Sequence, residues 1–151
     1  QVLEKLSQLK DFKVDRTDWG TILGNFSGIK FSLFYYQYTL IENPIDISGI
    51  KIASLKDLVA SKICAIASRG TKRDFVDLFY ILRDGKIGNL QDFLVYYDQR
   101  FKNLASQQIH IIKSLTYFYY ADKDDDPKML VTDYSWEEVK RTLKEEANKL
   151  I

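Results

Sequence analysis

Residues 52–83 read IASLKDLVASKICAIASRGTKRDFVDLFYILR, and this stretch decides the fold. With about 3.6 residues per helical turn, its apolar residues fall on one face of each of two helices, Ser54–Ser68 and Lys72–Arg83. A basic turn around Gly70 separates them. Each helix begins at a Ser or Thr followed three residues later by Asp, which is the spacing of a capping box. We therefore expect two helices that pack as neighbours.

Four charged side chains lie at the edge of the predicted seam between these helices. Lys62 and Arg69 fall on or beside the inner face of the first helix. Asp74 and Asp77 are three residues apart on one flank of the second helix, so they are neighbours on its surface. A structural interpretation makes Lys62 a lysine whose stem packs on the core, and Asp74 a partner in the cap at Thr71. A functional interpretation makes the four groups one polar site, and the pattern leaves both open.

The rest of the chain predicts an α+β fold, with a small antiparallel sheet followed by a helical bundle. Three to four short strands are expected before residue 53, after a short N-terminal amphipathic helix; the runs are Phe12–Trp19, Thr21–Phe26, Ile29–Tyr36 and Ile50–Ile52. About five helices are expected after it, the later ones starting near Asn89, Ser106 and Ser135. The shift from aromatic strands to helices near residue 53 is the predicted internal boundary, dividing residues 1–53 from 54–151.

Composition excludes several classes of protein. The 22 Lys and Arg residues nearly balance the 21 Asp and Glu residues, so no global field favours nucleic acid or an anionic membrane. Cys64 is the single cysteine, which excludes an internal disulfide, predicts no disulfide-linked partner and fits a reducing cytoplasm. No apolar run approaches the roughly 18 residues of a membrane span. The acidic run Asp122–Pro127 lacks the spacing of a calcium loop and predicts a solvated turn.

Residues Gly49 to Leu82 carry a more specific pattern. Written with h for an apolar residue, it is gI-x-IASL-x-D-hh-h-x-Kh-x-Ah-x-RGTKRDF-h-Dh-x-hL, and similarity continues at residues 114–118 and 135–140. This pattern resembles the AbiEii-type nucleotidyltransferase toxins of bacterial abortive-infection and toxin–antitoxin systems.

The resemblance implies a nucleotidyltransferase-like α+β core, of which residues 1–53 would be a remnant, followed by a helical domain. It implies a divalent metal ion such as Mg²⁺ and a nucleoside triphosphate in the intact family, an antitoxin partner and an RNA acceptor. By the match to the K…RD-x-x-D segment, it assigns catalytic roles to Asp77 and Asp74 and nucleotide binding to Lys62. Physical chemistry adds the neighbouring cations as nucleotide-binding candidates, because a triphosphate needs several positive groups; these are Arg69, Lys72 and Arg73.

The chain departs from the family pattern at the metal site. The family's Gly-Ser turn followed by Asp-x-Asp is absent, because Asp15 and Asp18 have the wrong spacing and no Gly-Ser precedes them. The strand expected at Ile29–Tyr36 has no acidic residue to complete a metal site. We therefore predict no metal ligands, no tightly bound cofactor and no transferase activity in this chain alone. Because the first residue is Gln1, we interpret the missing motif as an N-terminal truncation.

Two other functions stay open on sequence grounds. The same helices are compatible with a non-catalytic module that binds a protein partner. The basic turn from Arg69 to Arg73 is compatible with RNA binding.

Overall fold

The chain divides into two compact units, Gln1–Tyr38 and Thr39–Ile151. The computed structural model describes residues 2–128, 130 and 133–150. The predicted α+β class is confirmed, since these residues form six α-helices, a three-stranded antiparallel sheet and a two-stranded one. Residues 39–53 belong to the same compact unit as the helices, and the predicted domain boundary near residue 53 stays a prediction. The interpretation of residues 1–53 as a remnant of an enzyme core stays a prediction.

The first unit is a short helix followed by an antiparallel meander. Its elements are α1 (Val2–Ser7), β1 (Phe12–Asp18), β2 (Thr21–Phe26) and β3 (Ile29–Phe34), with β2 in the middle. The β2–β3 hairpin closes with a two-residue turn, because Phe26 pairs with Ile29. Ser27 and Gly28 have φ values of 50° and 87°, the left-handed conformation that a type I′ hairpin turn requires. This turn fixes the register of the hairpin.

The second unit opens with a hairpin that the sequence pattern only half predicts. Its strands are β4 (Ile45–Ile47) and β5 (Ile50–Ile52), paired antiparallel. The described residues before 53 therefore contain five strands, and the prediction of three to four is wrong by the omission of β4. Three residues after a proline are too few to show the alternation of a strand.

Five α-helices and one 3₁₀ turn complete this unit. They are α2 (Leu55–Ser68), α3 (Lys72–Asp84), α4 (Leu90–Phe101), α5 (Leu104–Leu115), the 3₁₀ turn Ala121–Lys123 and α6 (Trp136–Asn148). Helix α2 is central and packs against α3, α4 and α5, while α6 packs on α3. The predicted packing of the two central helices is thus confirmed, and the prediction of about five helices holds for the described residues.

The core of the second unit lies between these helices. The fully buried side chains include Val59 and Ile63 of α2, and Phe75 and Leu78 of α3. Leu55, expected on the buried face, is instead 42% exposed, because it stands in the first turn of α2 beyond the packed stretch. The apolar periodicity of the central stretch is therefore correct for the helix bodies and fails at that end.

A buried ion pair ties α2 to α4. Asp57 is fully buried, and its Oδ1 accepts a hydrogen bond from Arg100 Nη1 at 2.7 Å. The same carboxylate accepts from the Ser54 hydroxyl and from the backbone N–H groups of Ile41 and Glu42. Buried charge is tolerated where it is paired and fully hydrogen-bonded. Asp57 therefore fixes the entry of the chain into α2.

The two predicted capping boxes have different outcomes. Ser54 accepts a hydrogen bond from Asp57 N, so the first cap forms at α2. Thr71 makes no side-chain cap at α3, and that prediction is wrong. Its hydroxyl donates to Asp74 Oδ2 at 2.7 Å, while the N–H of Lys72 is capped by Asp124 Oδ2 at 2.9 Å. A carboxylate from a distant segment replaces the local cap.

Candidate functional site

Asp74 is the hub of the polar cluster between α2 and α3. Its side chain is only 2% exposed. It accepts from Lys62 Nζ at 3.2 Å, from Arg69 Nε and Nη2 at 3.0 and 3.2 Å, and from Thr71. Burial by itself would raise the pKa of Asp74, but the hydrogen bonds from Arg69, Thr71 and Lys62 outweigh burial and lower it below its ordinary value. Asp74 is therefore an ionised, fully engaged carboxylate that joins the end of α2 to the start of α3.

Lys62 and Asp77 form the outer half of this cluster. Lys62 Nζ lies 2.5 Å from Asp77 Oδ2, and the two side chains are 17% and 22% exposed. The second carboxylate oxygen of Asp77 makes no hydrogen bond with the described residues. The structure thus brings Lys62 within ion-pair reach of both aspartates, as their spacing on the two helices predicts.

An open cavity of about 520 Å³ borders this ion pair. Successive turns of α3 form one wall, and α2 contributes two residues one turn apart. The lining residues are Leu58 and Lys62 of α2, Arg73, Asp77, Tyr80 and Ile81 of α3, and Lys128 and Leu130 from the connection that precedes α6. Pockets for small ligands typically occupy about 300–1,000 Å³. The cavity is thus large enough for a nucleotide.

The charge of the cavity is positive. Its lining holds three cations, Lys62, Arg73 and Lys128, against the single carboxylate of Asp77. Arg73 and Lys128 are exposed and make no ion pair with any residue that the structure describes. Cations that lack protein partners remain available to a ligand. The cavity therefore favours an anion.

Arg69 does not line this cavity. Its guanidinium binds Asp74 through two donors and is 64% exposed. These two hydrogen bonds occupy guanidinium N–H donors that a phosphate would need. Of the predicted nucleotide-binding cations in the basic turn, Arg73 alone reaches the cavity lining.

Lys72 points away from the cavity into the acidic run. Its ammonium donates to Asp124 O at 2.6 Å and to Asp126 Oδ1 at 3.2 Å. The Lys72 side chain is 10% exposed, and its Nζ lies 5.6 Å from the centre of the Trp136 ring. The structure does not bring Lys72 to the predicted nucleotide site.

The acidic run is solvent-exposed from Asp122 to Asp126, as predicted, and it is also an anchor. Asp124 caps α3, and Asp122 accepts from Trp136 Nε1 at 2.7 Å and from Lys140 at 3.2 Å. These partners come from other parts of the chain, so local sequence could not reveal them. The run fastens the connection after α5 to α3 and α6.

A second anchor fixes the far end of the same connection. Asp133 accepts two hydrogen bonds from Arg83 Nη2, at 3.1 and 3.0 Å, and one from Tyr80 Oη at 2.9 Å. Hydrogen bonds from Arg83 and Tyr80 lower the pKa of Asp133 below its ordinary value. Lys128 and Leu130 stand between the two anchors.

The donor set does not fit a divalent metal ion. Among residues 2–128, 130 and 133–150, no three His, Cys, Asp or Glu side chains cluster closely enough to hold one. Asp74 is engaged by three cationic or hydroxyl donors, and Asp77 by Lys62.

No helix among the described residues is long and apolar enough to cross a membrane.

Comparison with known proteins identifies the family. Residues 36–149 match the family described as nucleotidyl transferase AbiEii toxin of type IV toxin–antitoxin systems. The chain belongs to this family. It is also 35% identical over 147 residues to the uncharacterized protein aq_aa25 of Aquifex aeolicus (strain VF5), an alignment that covers 92% of this chain and 68% of that protein. No solved structure matches the chain.

The match confirms the resemblance and places this AbiEii-family chain among nucleotidyltransferase-like toxins. It spans the helical unit that carries the Lys62–Asp74–Asp77 cluster. Five residues of the cavity lining were not predicted as site residues: Leu58, Tyr80, Ile81, Lys128 and Leu130. Tyr80 lines the cavity from α3 itself, one turn after Asp77, whereas Lys128 reaches it because Asp124 and Asp126 just before it are bound to α3. A lone Lys in a polar loop carries no signal of that placement.

Proposed function

We propose that the cavity beside α2 and α3 holds the triphosphate of a nucleoside triphosphate. The chain would then be the nucleotide-engaging helical part of a bacterial, cytoplasmic nucleotidyltransferase toxin of the abortive-infection type, which transfers a nucleotide in the intact protein. The observation that carries this proposal is the excess of cations around one nucleotide-sized cavity, next to the family's Lys and Asp residues. Phosphoryl transfer depends on such positioning and charge stabilisation.

Lys62, Arg73 and Lys128 have the main binding role in this proposal. Lys62 is the most buried of the three, so its charge acts where water screens it least. Arg73 offers a planar fork for two phosphate oxygens. Arg69 and Lys72, both committed to protein partners, act indirectly.

The two aspartates have different roles. Asp74 is saturated by Lys62, Arg69 and Thr71, so we assign it a positioning role, which holds Lys62 at the cavity wall. Asp77 lines the cavity, and one of its oxygens accepts no hydrogen bond from a described residue, so Asp77 either orients Lys62 or accepts a proton from an acceptor hydroxyl. An RNA acceptor would supply such a hydroxyl.

The variant Asp77→Asn separates these two roles for Asp77. If Asp77 mainly orients Lys62, triphosphate binding should weaken, because the ammonium loses its strongest partner. If Asp77 serves as a base, binding should strengthen several-fold, because a negative charge leaves an anion site. Titration calorimetry with tripolyphosphate distinguishes the two results.

The proposal is tested by removing Arg73. The protein should bind tripolyphosphate and at least one of the four nucleoside triphosphates, and Arg73→Ala should weaken binding about tenfold, the value of one charge-assisted contact. Arg141→Ala, on the exposed face of α6, is the matched control and should bind as the unchanged protein does. Absence of triphosphate binding in the unchanged protein, or equal losses in both variants, would refute the proposal.

A second candidate function is protein binding, favoured by the β4–β5 hairpin. Cross-strand pairing places Ile45 opposite Ile52 and Ile47 opposite Ile50, so all four side chains share one face. They are 58%, 44%, 55% and 68% exposed in that order. A clustered exposed apolar face is typical of an interaction site. The antitoxin of a toxin–antitoxin pair is the partner that the family suggests.

This second function is tested with the double variant Ile47→Lys and Ile50→Lys, at exposed positions. If the hairpin binds the antitoxin, the variant should fold normally and lose binding to that purified protein in surface plasmon resonance. Undiminished binding would show that the hairpin has no part in that contact.

A further inference from the structure

The connection between the 3₁₀ turn and α6 is fastened to α3 at two points. At the N-terminal end of α3, Lys72 holds Asp124 and Asp126. Further along the same helix, Tyr80 and Arg83 hold Asp133. Lys128 and Leu130 lie between these anchors and line the cavity. The anchors therefore determine where these two side chains stand.

We propose that Lys128 is a phosphate-binding residue and that Lys72 is its positioning residue, acting on triphosphate affinity only through Lys128. This inference rests on the proposed function of the cavity and adds Lys128, which lies outside the family pattern, as the residue through which Lys72 acts. Its basis is that Lys72 binds the residues just before Lys128 but is absent from the cavity lining.

The contrast between the two lysines supports this assignment. The Lys72 ammonium is nearly buried and bound to a backbone carbonyl and a carboxylate of the acidic run, and Lys72 is not among the residues that line the cavity. Lys128 is exposed and has no ion pair with a described residue. A side chain with four rotatable bonds contributes more to binding when its backbone is already placed, because less conformational freedom is lost. Lys72 supplies that placement.

The test is a double-mutant cycle on triphosphate affinity. Lys128→Ala should weaken tripolyphosphate binding about tenfold. Lys72→Met keeps the apolar stem and the backbone N–H that Asp124 caps, and should weaken binding about threefold. In the Lys128→Ala background, Lys72→Met should have no further effect, because the residue through which it acts is gone.

Lys140→Met is the matched control. Lys140 is 18% exposed, binds Asp122 of the same acidic run and lies 5.7 Å from the Trp136 ring centre, but it holds no residue next to Lys128. It should leave tripolyphosphate affinity unchanged. The free energy of unfolding, measured for every variant, identifies any loss that comes from a general loosening of the fold.

Three results would overturn the inference. Equal losses from Lys72→Met with and without Lys128 would show that Lys72 acts independently. A Lys128→Ala variant that binds normally, while Arg73→Ala does not, would remove Lys128 from the site and leave the proposed function intact. If the unchanged protein fails to bind tripolyphosphate, the proposed function falls and the inference falls with it.

Discussion

Replacing Asp74 by Ala tests whether this residue, as the hub of the polar cluster, stabilises the fold more than a helix cap would. The substitution removes an acceptor for Lys62, Arg69 and Thr71 from a position that is 2% exposed. Arg69 is 64% exposed, so its pair contributes little after solvent screening. The bonds to Thr71 and to Lys62 are partly buried and contribute more. We expect the free energy of unfolding to fall by about 3 kcal/mol, whereas loss of a cap alone costs about 0.5–2 kcal/mol.

The assay is guanidinium denaturation followed by circular dichroism, with pH as a second variable. Because the folded-state pKa of Asp74 is lowered, its stabilisation is fully present above the unfolded pKa of about 3.9 and is lost as pH falls through the folded value. The difference between the unchanged protein and Asp74→Ala should thus stay constant from about pH 5 to 8 and shrink below about pH 4. Asp74→Asn, which keeps the volume, should behave similarly. Asp74 is not the hub of the cluster if the substitution lowers the free energy of unfolding by less than about 1 kcal/mol. The same conclusion follows if the difference between the two proteins stays independent of pH down to about pH 2.

Three further predictions concern the frame of the site and its chemistry. Arg100→Met should lower the free energy of unfolding by about 3–5 kcal/mol in chemical denaturation, because it leaves the carboxylate of Asp57 buried without its cation; a loss under about 1 kcal/mol would contradict the buried pair. Gly88→Ala should lower the melting temperature more than Gly85→Ala does. Both glycines have positive φ, but a Cβ at Gly88 would lie 2.3 Å from an Asp92 oxygen that caps α4, while a Cβ at Gly85 would face open space. Equal decreases would show that backbone strain alone, and not the contact with Asp92, sets the cost. The purified chain with Mg²⁺ or Mn²⁺ and radiolabelled nucleoside triphosphates should transfer no label to itself or to bulk RNA, and any metal-dependent incorporation would show that its carboxylates suffice.

The sequence predicts the parts of the site that depend on helical periodicity. Lys62 on α2 and Asp74 and Asp77 on α3 face one another because a helix places every third or fourth residue on one side. Gly28 in the β2–β3 turn likewise reflects a local requirement, because glycine adopts its φ of 87° without steric cost. These features depend on local geometry, which a single sequence specifies.

Features that join distant segments escape such prediction. Asp57 has the spacing of a cap residue, and its buried partner lies on α4. Lys72 stands in a basic turn that suggests phosphate binding, but Asp124 and Asp126 hold its ammonium elsewhere. The phosphate-binding role proposed for Lys128 depends on the anchoring of Asp124 and Asp126 to α3, which the sequence around Lys128 does not reveal. In each case the packing of the fold decides which of several charged side chains becomes the partner. The spacing of residues along the sequence does not specify that choice.

The affinity of Lys62→Met for a triphosphate tests the proposed nucleotide site most directly, measured by titration calorimetry with tripolyphosphate and the four nucleoside triphosphates. Met keeps the apolar stem, and Asp74 retains its bonds to Arg69 and Thr71, so the protein should remain folded with a cost of about 1–2 kcal/mol. The folded fraction of Lys62→Met should bind no triphosphate. Lys113 is an exposed lysine of α5 outside the cavity, so Lys113→Met should bind as the unchanged protein does. If Lys62→Met unfolds the protein, or binds a triphosphate with unchanged affinity per folded molecule, Lys62 is structural and the nucleotide site is not where we place it.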